Sequence, residues 1–446
     1  MRNYRPIALL HPASKLLERL VHQELLQVVS AKLDERQFGF RRHRSTEIQL
    51  TLFTEAVQRC LNEGGQIDAV ALDAAKAFDK VPHHILLRKM IEMKVPNHLV
   101  NLTNGYLSRR QQRVVVDGQS SVVKAVTSGV PQGSILGPLL FLIFINDMPS
   151  HVDSILNLFA DDTLLYRAIN NVRDSEQMQA DINSLALWSS ENELPFNPLK
   201  SEAISLTRRR NTKIVVKYQL DGVDIPEVTT MKYLGVLLDR TLTMRDHVEY
   251  VTQKMRKRTG ALRFLFGHRH QMAKLRAYKA VVLPVMTYCA SVWLPWQKTF
   301  SDKLRKVTRE FEHDLGIYDR SEEDRFAFHR ILSPEKLREH RRLLLMYKII
   351  KGIYPGKESI VERADQAVVS GRVNTRADAT AAARPLHIIP IKSTYSPKKE
   401  LESFSYSFCN EVVSLWNSIQ FLPINLKSIS NFRSFLFRRF FWISQP

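Results

Sequence analysis

Residues 155–166 read Ile-Leu-Asn-Leu-Phe-Ala-Asp-Asp-Thr-Leu-Leu-Tyr, two short apolar runs parted by the adjacent carboxylates Asp161 and Asp162. Each run has the length and composition of a strand, and the polar pair falls where a tight turn belongs. The spacing predicts a β-hairpin whose exposed tip carries both carboxylates, well placed to hold a divalent cation. Asp-Asp also suits a turn with no ligand, because Asp tolerates left-handed backbone angles. The rest of the chain decides between the two.

The chain's 446 residues and 44% hydrophobic content are ample for a core and exclude wholesale disorder. A net charge of +20 and a pI near 9.8 point to a polyanionic partner, nucleic acid or an anionic membrane, held by salt-sensitive phosphate neutralisation. The cysteines (Cys60, Cys289, Cys409) match no zinc or redox spacing and fit a reducing, intracellular setting. The first residues lack the apolar stretch of a secretion signal. The longest apolar run, Ile135–Ile145, is interrupted by Gly137-Pro138 and too short to span a bilayer. A nuclear or cytoplasmic protein with no membrane partner is expected.

Along the chain, Ser14–Val29 and Glu47–Leu61 have helical periodicity. Between them lies a basic, aromatic loop, Gln37-Phe38-Gly39-Phe40-Arg41-Arg42-His43-Arg44-Ser45-Thr46. Phe38 and Phe40 offer stacking faces and the arginines offer phosphate contacts, although a solvated loop before a helix would look similar. Ile67–Leu72 is a β-rich run that ends on Asp73, a metal-ligand position with an adjacent open carbonyl at Ala74. Asp79 reads better as a cap on the helix His83–Met93. Arg109–Val116 and Ser121–Val126 form a hairpin around Asp117-Gly118. In Ser128-Gly129-Val130-Pro131-Gln132-Gly133-Ser134, two glycines let the backbone approach a ligand and Gln132 can donate and accept hydrogen bonds; a structural turn is the alternative. An apolar helix, Leu136–Ile145, follows, then a helix over Asp174–Glu193 and strands over Leu194–Leu206 and Met231–Leu238. From Lys254 to Lys279 there are nine Lys/Arg and no Asp or Glu, a nucleic-acid-facing pattern that includes Lys254, Arg256, Lys257 and Arg258. Residues 281–296 read as one apolar helix with Trp293 and Trp296, and 300–446 as mainly helical with a looser stretch at Val368–Pro397.

In their order these motifs resemble the reverse transcriptases of non-LTR, LINE-type retrotransposons of the jockey-like group. Asn3–Ile7 and Gln37–Arg41 with Arg44-Ser45-Thr46 resemble the fingers motifs, and Leu72–His83 the first palm motif. Ser128–Phe141 resembles the next and Phe159-Ala160-Asp161-Asp162 the third, with Phe159 where tyrosine is common. Asn197–Ser201, including Lys200, and Lys232–Val236 resemble the last two; Trp416-Asn417-Ser418 is a weaker C-terminal likeness.

The resemblance implies an α+β right-hand polymerase with an antiparallel palm sheet and a mainly helical C-terminal extension. It implies partial fingers at 1–66, a palm at 67–240 (reverse transcriptase domain about 1–240), a helical thumb at 241–300 and an extension at 301–446. It further implies two Mg2+ ions, with Mn2+ as a substitute, on Asp73, Asp161 and Asp162, and Ala74 as a further oxygen ligand. Phe78 would exclude a ribose 2′-hydroxyl, and Gln132 and Gly133 would line the dNTP pocket. Arg5 would meet the triphosphate, Lys200 would protonate pyrophosphate, and Phe159 would pack on the primer end. The implied partners are an RNA template, a DNA primer, dNTPs, and a separate endonuclease or a pre-existing nick. Because the chain starts at the Asn-Tyr-Arg-Pro motif, an N-terminally truncated element copy is expected. The alternative is a catalytically weak remnant that binds RNA or DNA.

Overall fold

The computed structural model describes residues 7–209, 212–267 and 270–355, and shorter stretches at 361–363, 388–390, 411–412, 415–416, 428–429, 431–433 and 435–436. Most of the expected helical region beyond 355, the stretch at 368–397 and the pair Asn417-Ser418 lie outside the described residues. The chain divides into two compact units, one of Met1–Ser45, Gln66–Ser205 and Arg210–Val228, the other of Thr46–Gly65, Leu206–Arg209 and Thr229–Pro446.

The main sheet, carried by the first unit except for the last two residues of its edge strand, comprises β1 (Gln66–Asp73), β2 (Ile155–Phe159), β3 (Asp162–Ala168) and β4 (Glu202–Thr207), in the order β2-β3-β1-β4. β3 is antiparallel to both β2 and β1. Alternation sets the register: Val70, Leu72, Leu156, Leu158 and Leu165 are buried in one core cluster. A one-residue slip would turn all of them to the opposite face.

The helix Leu136–Ile145 explains the longest apolar run. Every residue but Pro138 is buried, so it is apolar on all sides because protein surrounds it. Among the described residues no helix is long and apolar enough to cross a membrane. Its two ends are met by buried charges of opposite sign. At the N-terminus the Glu18 carboxylate accepts from the Ile135 and Leu136 N–H groups (2.6 and 3.4 Å) and from the Tyr106 hydroxyl (2.9 Å). At the C-terminus Lys89 donates to the Phe144 carbonyl (2.8 Å) and to Asp147 (2.7 Å), against the rings of Phe144 and Trp188. Burial pulls the Lys89 pKa down, and Asp147 opposes that pull. Both charges complement the helix dipole and satisfy groups left over at the helix ends.

The second unit is mostly helical and contains Arg245–Phe266, Gln271–Val281, Lys298–Asp314 and Pro334–Ile350. It also contains the helix Thr46–Asn62, expected from sequence to belong to the fingers. Polar and ring contacts explain the reassignment: Gln49 donates to the Tyr233 hydroxyl (2.7 Å), Phe53 meets the Tyr233 ring edge-on, and Ser291 donates to Glu47 (2.7 Å). The expected strand Met231–Leu238 is a hairpin, Thr230–Tyr233 against Val236–Asp239. Leu234 and Gly235, both at positive φ (44° and 80°), make its two-residue turn. The expected single helix at 281–296 is two short ones, Leu283–Thr287 and Ala290–Trp293, separated where Cys289 takes φ 47°.

His247 is buried against Trp293 (ring centroids 4.7 Å) and accepts the Leu237 N–H through Nδ1 (3.2 Å). Burial, with Lys254 adding to it, lowers its pKa from 6.5 to about 4. The folded state therefore binds fewer protons than the unfolded chain between these values. The contribution is full above pH 6.5 and is lost as pH falls towards 4. Denaturant melts at pH 7 and pH 4.5 should show an acid loss of roughly 2–3 kcal/mol that His247→Gln removes. An unchanged difference in that variant would assign the loss to other groups.

Candidate active site

The hairpin predicted at Asp161-Asp162 is present, with one change in its geometry. Phe159 pairs with Asp162, so the two-residue turn is Ala160-Asp161, with Ala160 at φ 54°. Only Asp161, which is half-buried, sits in the turn; Asp162 is exposed and opens β3. On its other side Asp162 lies opposite Asp73, the last residue of β1. Residues directly opposed on antiparallel strands share a face, so Phe159, Asp162 and Asp73 form one row at the sheet's end.

The tip is held from the side by the Gln37-Phe38-Gly39 segment. The Phe38 N–H donates to the Leu158 carbonyl (2.8 Å), and the Leu158 N–H to that of Arg36 (2.9 Å). The buried Gln37 carboxamide oxygen accepts both the Gly39 N–H (2.7 Å) and the Ala160 N–H (3.0 Å). Gly39 approaches so closely that a Cβ there would lie 2.3 Å from the Ala160 nitrogen. Residue type alone gave no signal for this acceptor role of Gln37, since a glutamine in a polar loop is ordinarily solvated.

Asp73 is held through its backbone. Its N–H donates to Ser201 Oγ (3.2 Å) and its carbonyl accepts the Asn197 N–H (2.8 Å), while Ala74 bridges to Phe196. Asn197 also accepts the Leu199 N–H at its side chain (3.2 Å) and the Lys200 and Ser201 N–H groups at its carbonyl. This turn brings Lys200, exposed, into the neighbourhood of Asp73. The strand expected over Leu194–Leu206 is thus a turn followed by β4.

The glycine-bracketed loop lies against the segment after Asp73. Val130 N–H donates to the Phe78 carbonyl and Gly129 N–H to that of Val81 (2.8 Å each), and a Cβ on Gly129 would meet Asp79 backbone at 2.7 Å. Asp79 does not cap the following helix, whose N-terminus is at Pro82; its carboxylate accepts from Gln132 Nε2 (2.8 Å). Phe78 stacks on Phe141 (4.3 Å) and meets Phe40 edge-on (6.1 Å). Gly133 is exposed at φ 92°, and the Gln132 carbonyl accepts the Ala8 N–H (2.8 Å). Asp73, Ala74, Phe78, Gln132, Gly133, Phe159, Asp161, Asp162 and Lys200 are all carried by the first unit, while Arg5 lies outside the described residues.

The basic loop differs from expectation. Phe38 is buried with the Arg44 guanidinium 5.0 Å over its ring, so the ring open for stacking is Phe40, 60% exposed. Arg41 and Arg44 both pair with Glu35, and Arg41 also donates to the Asp34 carbonyl (2.5 Å). They brace the loop from within. In the second unit Lys254 and Lys257 are exposed, Lys254 beside the Tyr250 ring; Arg256 pairs with Glu310 (3.4 Å), and Arg258 donates to the Val281 carbonyl.

The donor set at the sheet's end suits a hard divalent cation in kind, being three carboxylates on adjoining backbone. Like charges placed directly opposite destabilise a strand pair unless something neutralises them. Among the described residues no three His, Cys, Asp or Glu side chains already converge as a cation cage. The carboxylates are therefore brought close by backbone but not gathered.

Residues 1–238 match the family described as reverse transcriptase (RNA-dependent DNA polymerase). The chain belongs to the reverse transcriptase family. Among similar reverse transcriptases, the probable RNA-directed DNA polymerase from transposon BS of Drosophila melanogaster is 32% identical over 306 residues, 65% of this chain and 34% of that protein. The RNA-directed DNA polymerase from mobile element jockey of the same species is 29% identical over 345 residues, 71% and 37% respectively. The chain thus spans about a third of the length of these relatives. A solved structure, apo telomerase from Candida tropicalis, aligns over 72% of this chain and 54% of that one, at 11% identity and a TM-score of 0.39.

Replacing the Gln37 acceptor should loosen the tip. Gln37→Met should lower unfolding stability by about 1–3 kcal/mol and speed hydrogen exchange at the Ala160 and Gly39 amides. Exchange at wild-type rates would remove Gln37 from this role.

Proposed function

We propose that this chain carries the polymerase centre of a non-LTR retrotransposon reverse transcriptase, extending a DNA primer 3′-hydroxyl with dNTPs on an RNA template. The observation that carries the reading is the row at the sheet's end, where Asp162 faces Asp73 with Asp161 beside it. We read the sheet as the palm of a right hand, residues 241–300 as its thumb, and the C-terminal region as a helical extension. A nick made by a separate endonuclease, or one already present, would supply the primer.

Phosphoryl transfer asks the protein for positioning and charge neutralisation more than for covalent help. When bound, two Mg2+ (or Mn2+) ions would supply activation of the 3′-hydroxyl and neutralisation of the leaving pyrophosphate. Asp73, Asp161 and Asp162 would hold them, with the Ala74 carbonyl in support. The backbone already sets Asp162 opposite Asp73 with Asp161 next to it in the turn, and metal binding would gather their side chains. Phe78, backed by Phe141, presents a rigid wall against a ribose 2′-hydroxyl. Gln132, fixed by Asp79, orients the incoming nucleotide, and Gly133 lets backbone come close to it. Arg5 would meet the triphosphate and Lys200 would give a proton to pyrophosphate. Phe159 would pack on the primer end, and Lys254, Arg256, Lys257 and Arg258 would take nucleic-acid phosphates.

Primer extension on an RNA template with Mg2+ and dNTPs should proceed with wild type and fall to background with Asp161→Ala/Asp162→Ala. Equal extension by both proteins would refute the assignment. Phe78→Ala should shift selection towards ribonucleotides by roughly ten- to hundredfold, read as the ratio of kcat/KM for dNTP over rNTP. A constant ratio would return Phe78 to the role of a core aromatic.

A further inference from the structure

The second unit holds a cleft of about 540 Å³, within the roughly 300–1,000 Å³ range of small-ligand sites. Lys306, Arg309 and His313 of the helix Lys298–Asp314 line it, with Arg263, Tyr318 and Arg325.

The charges around it are unevenly spent. Its acidic residues are committed: Glu310 pairs with Arg256 (3.4 Å), and the buried Glu312 with His329 (2.8 Å) and Arg325 (3.2 Å). Arg263 is taken by Asp314 (2.9 Å). Other cations of the same helix are matched too, Lys303 with Glu249 (3.0 Å) and Arg305 with Glu335 (2.8 Å). Lys306 and Arg309 differ. Both are exposed and stand about one helical turn apart, and their side chains make no ion pair or hydrogen bond with any described residue.

Beside these two cations is an aromatic platform. Tyr318 is 49% exposed, and its ring stacks on His313 (centroids 4.6 Å, planes 27° apart). Arg325 donates to the Tyr318 and Arg320 carbonyls (3.2 and 2.9 Å), which pins the loop that carries the ring. A fixed aromatic face next to two uncommitted cations offers what a nucleotide unit needs, a surface for the base and counter-charge for the phosphate.

We propose that this cleft is an accessory site for single-stranded nucleic acid, with backbone phosphate on Lys306 and Arg309 and an unpaired base stacked on Tyr318. A duplex keeps its base faces stacked internally and cannot use Tyr318. The site is independent of the Asp73–Asp161–Asp162 chemistry and stands or falls separately from it.

The test uses the full chain in EDTA, without dNTPs, and a fluorescein-labelled single-stranded RNA oligomer containing 5-iodouracil. Irradiation should crosslink the oligomer to the peptide carrying Tyr318. Tyr318→Ala should abolish that crosslink, Tyr318→Phe should retain it, and Asp161→Asn/Asp162→Asn should leave it intact. Lys306→Glu/Arg309→Glu should weaken binding by about tenfold and reduce the slope of log K against log[salt] by about 1.4, the value for two phosphate contacts on a single strand. Unlabelled single strand should compete for the crosslink, whereas duplex or millimolar dNTP should not. Circular dichroism melts check that these exposed substitutions leave the fold intact. Absence of the Tyr318 crosslink in wild type, or a double variant with unchanged affinity and slope, would overturn the proposal. Competition by dNTP as effective as by the oligomer would make this a free-nucleotide site and overturn the strand assignment; equal competition by duplex would reduce it to a non-stacking basic surface.

Discussion

Two carboxylates facing each other across an antiparallel ladder are an electrostatic cost, and the first unit is arranged to sustain it. Asp73 and Asp162 end strands whose inner rows, Leu72–Thr163–Leu158 and Val70–Leu165–Leu156, are apolar or nearly so. Those rows fix the register, because a slip by one residue would exchange buried leucines for the opposite face. Repulsion at the end of the ladder, of the order of 0.2–1 kcal/mol for a like-charged pair, is too small to undo them. Gln37 and Gly39 hold the turn from one flank, and the Asn197–Ser201 turn holds the Asp73 backbone from the other.

A second arrangement of charge reaches the same region through the core. Glu18 and Lys89 terminate the helix Leu136–Ile145, whose own residues are almost all apolar. With its ends satisfied, that helix fixes the end of the loop before it, where Ser134 accepts the Gly137 N–H (2.8 Å). The loop in turn delivers Gln132 to Asp79 and Gly129 to the Asp79 backbone. A buried acid and a buried base, distant in sequence from Gln132, thus fix the loop that carries it.

Much of this was legible in the sequence where the signal is local. Alternating apolar runs around Asp161-Asp162, a β-rich run ending on Asp73 and glycines bracketing Val130–Gln132 each follow from neighbouring residues. What was hidden depends on distant partners. Glu18 and Lys89 sit in helical patterns where a charge ordinarily marks the solvent side, and only the tertiary fold turns them inward. Arg41 and Arg44 look phosphate-facing until Glu35 is seen to hold both. Asp79 looks like a cap because the helix after it is near in sequence, while Gln132 is 53 positions away.

The two units are interleaved along the chain. Helix Thr46–Asn62 is bordered on both sides by segments of the first unit, yet it packs in the second, against Tyr233 and, through Glu47 and Thr46, against Ser291 and Tyr288. The family match stops at residue 238. A stretch recognisable as a shared module therefore contains a helix whose partners lie partly beyond its end. Exchange of the region after 238 between related elements would leave part of that helix facing a foreign surface, so compatibility at Thr46 and Glu47, whose partners are Tyr288 and Ser291, limits which halves can recombine into a chain that folds.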